Sequence, residues 1–181
     1  SRYKKTREAY SEIWTDSGSP LINSCLDLGK KVHEKSNIPV EVAMRYQFPS
    51  IKESLLNLKN KGCEEIFVVP LYPHYAMSTT LTTENEVKRI NEDSNFRLDL
   101  TFIGAFYKED QYIQSLCNVI KSNRQEESDF LLFSYHGIPN RHLVKTDPTE
   151  SHCLKVKNCC DLDSDAKPVS YTHLRAHETS L

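Results

Sequence analysis

The chain has 181 residues and a formal net charge of −2. This length allows one ordinary domain with a buried core. The small net charge and the scattered basic residues exclude an electrostatic basis for nucleic-acid binding, and no apolar run is long enough to span a membrane. Three of the six cysteines fall at positions 153, 159 and 160, which is unlike a disulfide framework. We therefore expect a reduced, cytoplasmic protein.

Apolar spacing predicts helices and strands in alternation. In chain order, the predicted elements are helix 4–14, helix 21–35, strand 40–46, helix 49–59, strand 66–71, helix 79–91, strand 98–103, helix 110–122 and strand 130–135. Pro49 and Gly62 stand at the two ends of the third helix, where these residue types are favoured. Continuous apolar strands between amphipathic helices are typical of a parallel sheet that is covered on both faces. The sequence therefore predicts an α/β fold.

One histidine, His136, follows the last predicted strand directly. It lies in LLFSYHGIP (131–139), where Gly137 and Pro139 end the strand. Open α/β sheets bind ligands at the carboxyl ends of their strands, and histidine can accept a proton or bind a metal near neutral pH. A histidine that is merely hydrogen-bonded at a strand end is the alternative on these residues alone.

The sequence around His136, SYHGIPNRHLVKTDPT (134–149), resembles the signature of ferrochelatases, the enzymes that insert ferrous iron into a porphyrin to make haem. Three further stretches are similar to blocks of that family and occur in its order. They are EAYSEIWTDSGSPL (8–21), VAMRYQFPSI (42–51) and VVPLYPHYAMSTT (68–80). Thr146 and Thr149 stand where the family usually has glycine and tyrosine. The resemblance covers almost the whole chain.

The resemblance implies a Rossmann-like, chelatase-like parallel sheet flanked by helices on both faces, but incomplete. Residues 1–150 would form an amino-terminal chelatase domain without its first strand, and 151–167 would be a Cys-rich segment that begins an insertion. The second chelatase domain would be absent. Residues 168–179 resemble a translated transposase adapter from sequencing libraries. We therefore expect 168–181 to be non-native, and we discount its histidines as metal ligands.

The resemblance also implies the chemistry. His136 would be the catalytic residue, which accepts a pyrrole proton or delivers the substrate Fe²⁺. The family's partner glutamate lies in the carboxyl-terminal half, so this stretch by itself is expected to be inactive. Chelation would require no cofactor, and the partners would be a porphyrin and ferrous iron. The implied substrate-binding residues are Arg2, Tyr10, Ser19, Arg45, Tyr46, Tyr72 and Tyr75.

Arginine suits the porphyrin propionates because its fork donates two parallel hydrogen bonds to a carboxylate. Each residue also has an ordinary interpretation. Arg2 could be a solvated end residue, Ser19 a turn former and Tyr46 a core aromatic. His74 stands where the family often has glutamine, and we interpret it as a polar loop side chain.

The segment HCLKVKNCC (152–160) places three thiols within eight residues. Zinc sites and iron–sulfur clusters both use such local thiols. Some bacterial ferrochelatases are thought to hold a [2Fe–2S] cluster on cysteines of an internal insertion, and this segment resembles that insertion. The resemblance therefore implies Cys153, Cys159 and Cys160 as cluster ligands. Unliganded thiols in a surface loop are the alternative.

Two other functions are alternatives to this one. A cobalt chelatase acting on sirohydrochlorin or a corrin precursor would perform similar chemistry, but such relatives generally lack the Gly-Ser-Pro and Arg-Tyr blocks. A non-catalytic module that binds a tetrapyrrole or a metal would use the Cys-rich segment alone. The choice between protoporphyrin and coproporphyrin, peripheral membrane association and the oligomeric state stay open.

Overall fold

The computed structural model describes residues 2–124 and 139–159, with the backbone alone for residues 2–6 and 9. The helices there are α1 (Arg2–Ile13), α2 (Pro20–Ser36), α3 (Ile51–Asn60), α4 (Thr82–Asp93), α5 (Asp110–Asn123) and α6 (Asn140–Thr146). The strands are β1 (Glu65–Val68) and β2 (Asp99–Phe102), and a π-helical turn, Met77–Leu81, precedes α4. The predicted strand 130–135 lies outside the described residues, as do His136 and Cys160.

Strands β1 and β2 pair side by side. The amide of Asp99 donates to the carbonyl of Glu64 at 2.8 Å, and that of Ile103 to Val68 at 2.9 Å. Both bonds advance in the same direction along the two strands, so the pairing is parallel. Over the described residues, the fold is a small parallel α/β sheet flanked by helices, as predicted.

Local sequence explains where the helices begin and end. Pro20 occupies the first position of α2, and Asn37 ends that helix in a left-handed conformation, with φ of 57°. Ser50 caps α3 by accepting a hydrogen bond from the amide of Glu53 at 3.2 Å. The predictions for α1, α2, α3 and α5 are therefore confirmed to within about two or three residues.

The predicted strand over residues 40–46 is wrong for the described structure. Instead of pairing with a strand, Met44 bridges to Ser50, and its amide donates to the carbonyl of Pro49 at 2.7 Å. The bridge is parallel, so the chain makes a short loop between these residues. A segment with strand-like residues such as Val40 and Val42 forms a strand only where a partner strand supplies hydrogen bonds, and a single local bridge has taken that role here.

The chain divides into two compact units, residues 1–66 with 86–100 and residues 67–85 with 101–181. The first unit has an apolar core of Ile51, Leu55, Ile66, Val87, Phe96 and Leu98. Each such side chain contributes about 1.5–3 kcal/mol when fully buried. Helix α2 reaches the 40–42 segment at Gly29, where an added Cβ would lie 2.7 Å from Val42 Cγ2.

The second unit buries Thr80 in the π-helical turn and Leu143 in α6. Cys153, Cys159, Asp147 and His152 of the segment after α6 are buried as well. Across the described residues, no helix is both long and apolar enough to cross a membrane.

Asn91 joins the end of α4 to the start of β2. Its Nδ2 donates to the carbonyl of Leu98 at 3.0 Å, and its Oδ1 accepts from the Leu98 amide at 3.1 Å. The side-chain amide of Asn91 therefore forms hydrogen bonds with both the N–H and the carbonyl of Leu98, the residue before β2.

We expect Asn91→Ala to lower the free energy of unfolding by about 1–3 kcal/mol, because it leaves two partly buried backbone groups without a partner. Urea denaturation of the chain measures this loss. Asn85→Ala, an exposed asparagine on the same helix, is the matched control. Equal stability of both variants would contradict the role given to Asn91.

Candidate functional site

The loops that follow β1 and β2 meet at one edge of the sheet. The carbonyl of Pro73 accepts hydrogen bonds from the amides of Phe106 and Tyr107, at 3.0 and 3.1 Å. The His74 ring stacks on Tyr107 with a centroid separation of 5.0 Å and an interplanar angle of 12°. Parallel pairing brings both carboxyl ends to this edge, which is where α/β sheets hold ligands.

Tyr72 and Tyr75 project from the loop after β1, and both are about one-third exposed, at 37% and 36%. Their rings are thus accessible without being fully solvated. Burial raises the pKa of the Tyr75 phenol, and the nearby charge of Glu84 raises it further. Tyr75 therefore stays neutral at physiological pH and can act as a hydrogen-bond donor.

The π-helical turn that follows carries hydroxyls which the sequence presents only as a polar run. Among the residues that the structure describes, the buried Oγ1 atoms of Thr80 and Thr83 have no hydrogen-bond partner. Thr80 is only 3% exposed. Unpaired buried hydroxyls of this kind are uncommon, and π-helical turns are frequent at functional sites.

Arg45 and Tyr46 lie in the first unit. The Arg45 Cζ lies 4.6 Å from the centroid of the Tyr46 ring, within cation–π range. Tyr46 is 78% exposed, so it is not the core aromatic of the ordinary interpretation. The Nη1 atom of Arg45 approaches Glu86 Oε1 at 4.0 Å.

The remaining predicted substrate residues occupy the start of the first unit. Tyr10 is exposed on α1. Ser19 is the N-cap residue of α2, but its side chain makes no capping hydrogen bond. The turn before it is closed by Thr15 and Gly18, whose backbones exchange hydrogen bonds of 3.0 and 2.9 Å. The side chain of Arg2 lies outside the described part of the structure.

A shallow depression of about 480 Å³ lies in the first unit, between α2, α3 and the loop over residues 41–49. Leu26, Val42 and Phe48 line it together with the carboxylates of Glu41 and Glu53. None of the predicted site residues whose side chains the structure describes lines it.

Asp147 organises the segment that carries the cysteines. Its Oδ1 accepts from the Thr149 amide at 2.9 Å and from the Thr149 hydroxyl at 2.6 Å. Its Oδ2 accepts from the amides of His152 and Cys153 at 2.9 and 2.7 Å. Hydrogen bonds, that of the Thr149 hydroxyl first, hold the pKa of Asp147 well below its ordinary value of 3.8.

The predicted cluster ligands Cys153 and Cys159 are both buried, at 3% and 7% exposure. His152 Nε2 donates to the carbonyl of Cys159, so this nitrogen is already in use. Within residues 2–124 and 139–159, no three His, Cys, Asp or Glu side chains gather into a metal site. The described residues thus hold the thiols in a compact loop but supply no complete ligand set.

Two carboxylates organise these sites although the sequence does not single them out. Asp147 stands in the sequence only as part of a motif, although aspartate is a residue type whose side chain often accepts a hydrogen bond from the backbone two residues later. Glu86 has the i, i+3 spacing of a helical ion pair with Arg89, which pairs in turn with Asp93. Its proximity to Arg45, 41 residues earlier in the sequence, has no sequence signal.

The chain matches known proteins of one family over most of its length. The family model described as Ferrochelatase matches residues 1–172. The chain belongs to the ferrochelatase family. It is 39% identical over 160 residues to ferrochelatase of Pseudomonas fluorescens (strain Pf0-1), covering 88% of this chain and 47% of that protein.

Other ferrochelatases are similar to the same extent. The protein of Ectopseudomonas mendocina (strain ymp) is 41% identical over 160 residues, which cover 87% of this chain and 46% of the relative. That of Pseudomonas aeruginosa (strain UCBPP-PA14) is 36% identical over 172 residues, or 94% of this chain and 50% of the relative. The chain thus spans about half the length of these curated ferrochelatases.

Asp147 gives a prediction about pH. Because its pKa is lower in the folded than in the unfolded chain, the carboxylate stabilises the fold above about pH 4, and this stabilisation is lost as the pH falls through the window below it. We therefore expect Asp147→Asn to be less stable than the unmodified chain at neutral pH, with a difference that shrinks below about pH 4. Thermal unfolding across pH measures it.

Glu150→Gln is the matched control, because Glu150 is an exposed carboxylate in the same loop. A difference between wild type and Asp147→Asn that stays constant from pH 7 to below pH 4 would contradict the assignment.

Proposed function

We propose that this chain carries the amino-terminal part of an enzyme that inserts ferrous iron into protoporphyrin IX, the last step of haem synthesis. The observation that carries the proposal is the family match over residues 1–172, together with relatives named ferrochelatase. The enzyme would be a lyase, with a porphyrin and Fe²⁺ as its substrates. The cobalt chelatase and the non-catalytic module are not favoured, since these relatives are ferrochelatases.

Metallation requires two pyrrole protons to leave while the metal sheds its waters and enters a flat ring. We propose His136 as the group that accepts a proton or delivers Fe²⁺ on one face of the ring. Tyr72 and Tyr75, at the sheet edge and partly exposed, would contact the macrocycle. Bending the ring exposes its nitrogen lone pairs, so a cleft that holds a distorted ring would assist the reaction.

The propionates would be bound by Arg45 with Tyr46, by Ser19, and by Arg2 and Tyr10. The Ser19 hydroxyl makes no capping hydrogen bond, and the Arg45 guanidinium is partly buried. Both observations support this proposal. The guanidinium of arginine is planar, and an aromatic ring packed against it holds that plane in one orientation. This arrangement suits a carboxylate. We further propose residues 1–150 as the chelatase domain and a reduced, cytoplasmic location, in line with cysteines that are not spread like a disulfide framework.

The first test is anaerobic insertion of Fe²⁺ by the protein expressed from its complete gene. We expect His136→Ala to lower kcat by at least about 100-fold, as the loss of a general base does. His33→Ala is the matched control, since His33 is exposed on α2. Insertion by the His136→Ala variant at the wild-type rate would remove His136 from the mechanism, and a wild-type protein without insertion activity would overturn the proposed reaction.

We also propose that the Cys-rich segment, residues 151–167, contributes Cys153, Cys159 and Cys160 to a [2Fe–2S] cluster. The burial of Cys153 and Cys159 in one compact loop supports this, because buried thiolates bind iron away from water. The cysteine thiols are suitable ligands for a [2Fe–2S] cluster, but the cluster needs a further ligand from outside the described residues. Its role would be structural, since the chelation itself needs no electron transfer.

We expect anaerobically purified protein from the complete gene to show the visible absorption and the iron and sulfide content of a [2Fe–2S] cluster. Cys153→Ser should lose most of the cluster iron, because a thiolate is a far better ligand for it than a hydroxyl. Cys117→Ser, on the exposed surface of α5, is the control and should retain it. Wild-type protein without iron and sulfide would favour unliganded thiols instead.

A further inference from the structure

The position of Arg45 depends on a carboxylate that comes from a distant part of the sequence. Arg45 lies in the 40–46 segment, whereas Glu86 lies on α4, and both belong to the first unit. Their side chains are only 24% and 22% exposed. Partial burial weakens the screening of charge by water, so this contact restricts Arg45 more than a surface pair would.

Glu86 is itself fixed by a second arginine. Arg89 Nε and Nη2 donate to the two oxygens of Glu86 at 2.9 and 2.8 Å, and Arg89 Nη1 donates to Asp93 at 2.5 Å. Hydrogen bonds from Arg89 lower the pKa of Glu86, and the charge of Arg45 adds to the effect. Glu86 therefore stays ionised and held in one place on the helix.

The distances distinguish the two arginines. Arg89 forms short hydrogen bonds to both carboxylate oxygens, whereas Arg45 stands 4.0 Å from one of them. The Arg45 contact is thus an ion contact without a short hydrogen bond. At this distance Glu86 acts on the guanidinium through its charge and orients it, rather than through a bidentate hydrogen-bonded pair.

We propose that Glu86 is the positioning residue for Arg45, holding its guanidinium against Tyr46 so that it receives a carboxylate of the substrate. This inference rests on the proposed function, in which Arg45 binds a porphyrin propionate. Without Glu86, the long Arg45 side chain would keep its rotamer freedom until the substrate binds. The entropy lost on ordering it would then oppose binding, and binding would weaken. Glu86 acts through Arg45 and does not touch the substrate.

The test measures dissociation constants by porphyrin fluorescence for the protein expressed from its complete gene. Two probes are used, mesoporphyrin and its dimethyl ester, which lacks the carboxylate charges. We expect Glu86→Ala to weaken mesoporphyrin binding about 3- to 10-fold and to leave ester binding unchanged. Glu86→Gln keeps the side-chain length and serves if the alanine variant does not fold.

A double-mutant cycle separates positioning from general structure. Arg45→Ala should weaken mesoporphyrin binding at least as much as Glu86→Ala, and the double variant should be no weaker than Arg45→Ala alone. Asp93→Ala is the matched control. It removes the same charge from the same helix and the same network, but Asp93 contacts Arg89 instead of Arg45, so binding should stay as in the wild type.

The outcomes distinguish this inference from the function on which it rests. If Arg45→Ala binds mesoporphyrin as well as the wild type, the assignment of Arg45 in the proposed function fails. If Arg45→Ala weakens binding but neither Glu86 variant does, the inference alone is overturned. Additive losses in the double variant, or an equal loss for the ester, would show that Glu86 acts without Arg45 and would also overturn it.

Discussion

Parallel pairing of β1 with β2 is the constraint from which the candidate site follows. Two parallel strands must be joined by a crossover, and α4 with its π-helical turn provides it. Both strands then end at the same edge, so the loops after them meet there, and the carbonyl of Pro73 binds two amides of the second loop. Tyr72 and Tyr75 stand at this edge because of strand direction. No local preference of the loop sequence would place them there.

Two carboxylates, each contacted by several donors, hold irregular segments that lie outside the small sheet. Asp147 accepts four hydrogen bonds from a loop that has no secondary structure after α6. Glu86 receives one arginine through short hydrogen bonds and a second through a longer ion contact. In both places one ionised group satisfies several donors, which makes it cheaper to bury than an isolated charge.

Sequence reasoning succeeded where the signal was local. Periodicity and caps located the helices, as Pro20 and Asn37 show for α2. It failed over residues 40–46, because a short segment of strand-like residues does not reveal whether a partner strand lies beside it. It also placed α4 at Thr79, since a run of threonines gives no sign of the π-helical turn over Met77–Leu81. The family blocks identified Arg45, but the Glu86 contact joins elements that only the fold brings together.

The close approach at Gly29 has a consequence for how the chain can evolve. Replacing a glycine in the middle of a helix with alanine usually raises helix stability by about 1 kcal/mol. At position 29 the methyl group would overlap Val42, on the segment that leads to Arg45. A substitution that improves α2 would therefore force a shift at Val42, on the segment that presents a proposed substrate ligand. Selection for stability and selection for binding oppose each other at this position, so sequence drift there should be rare.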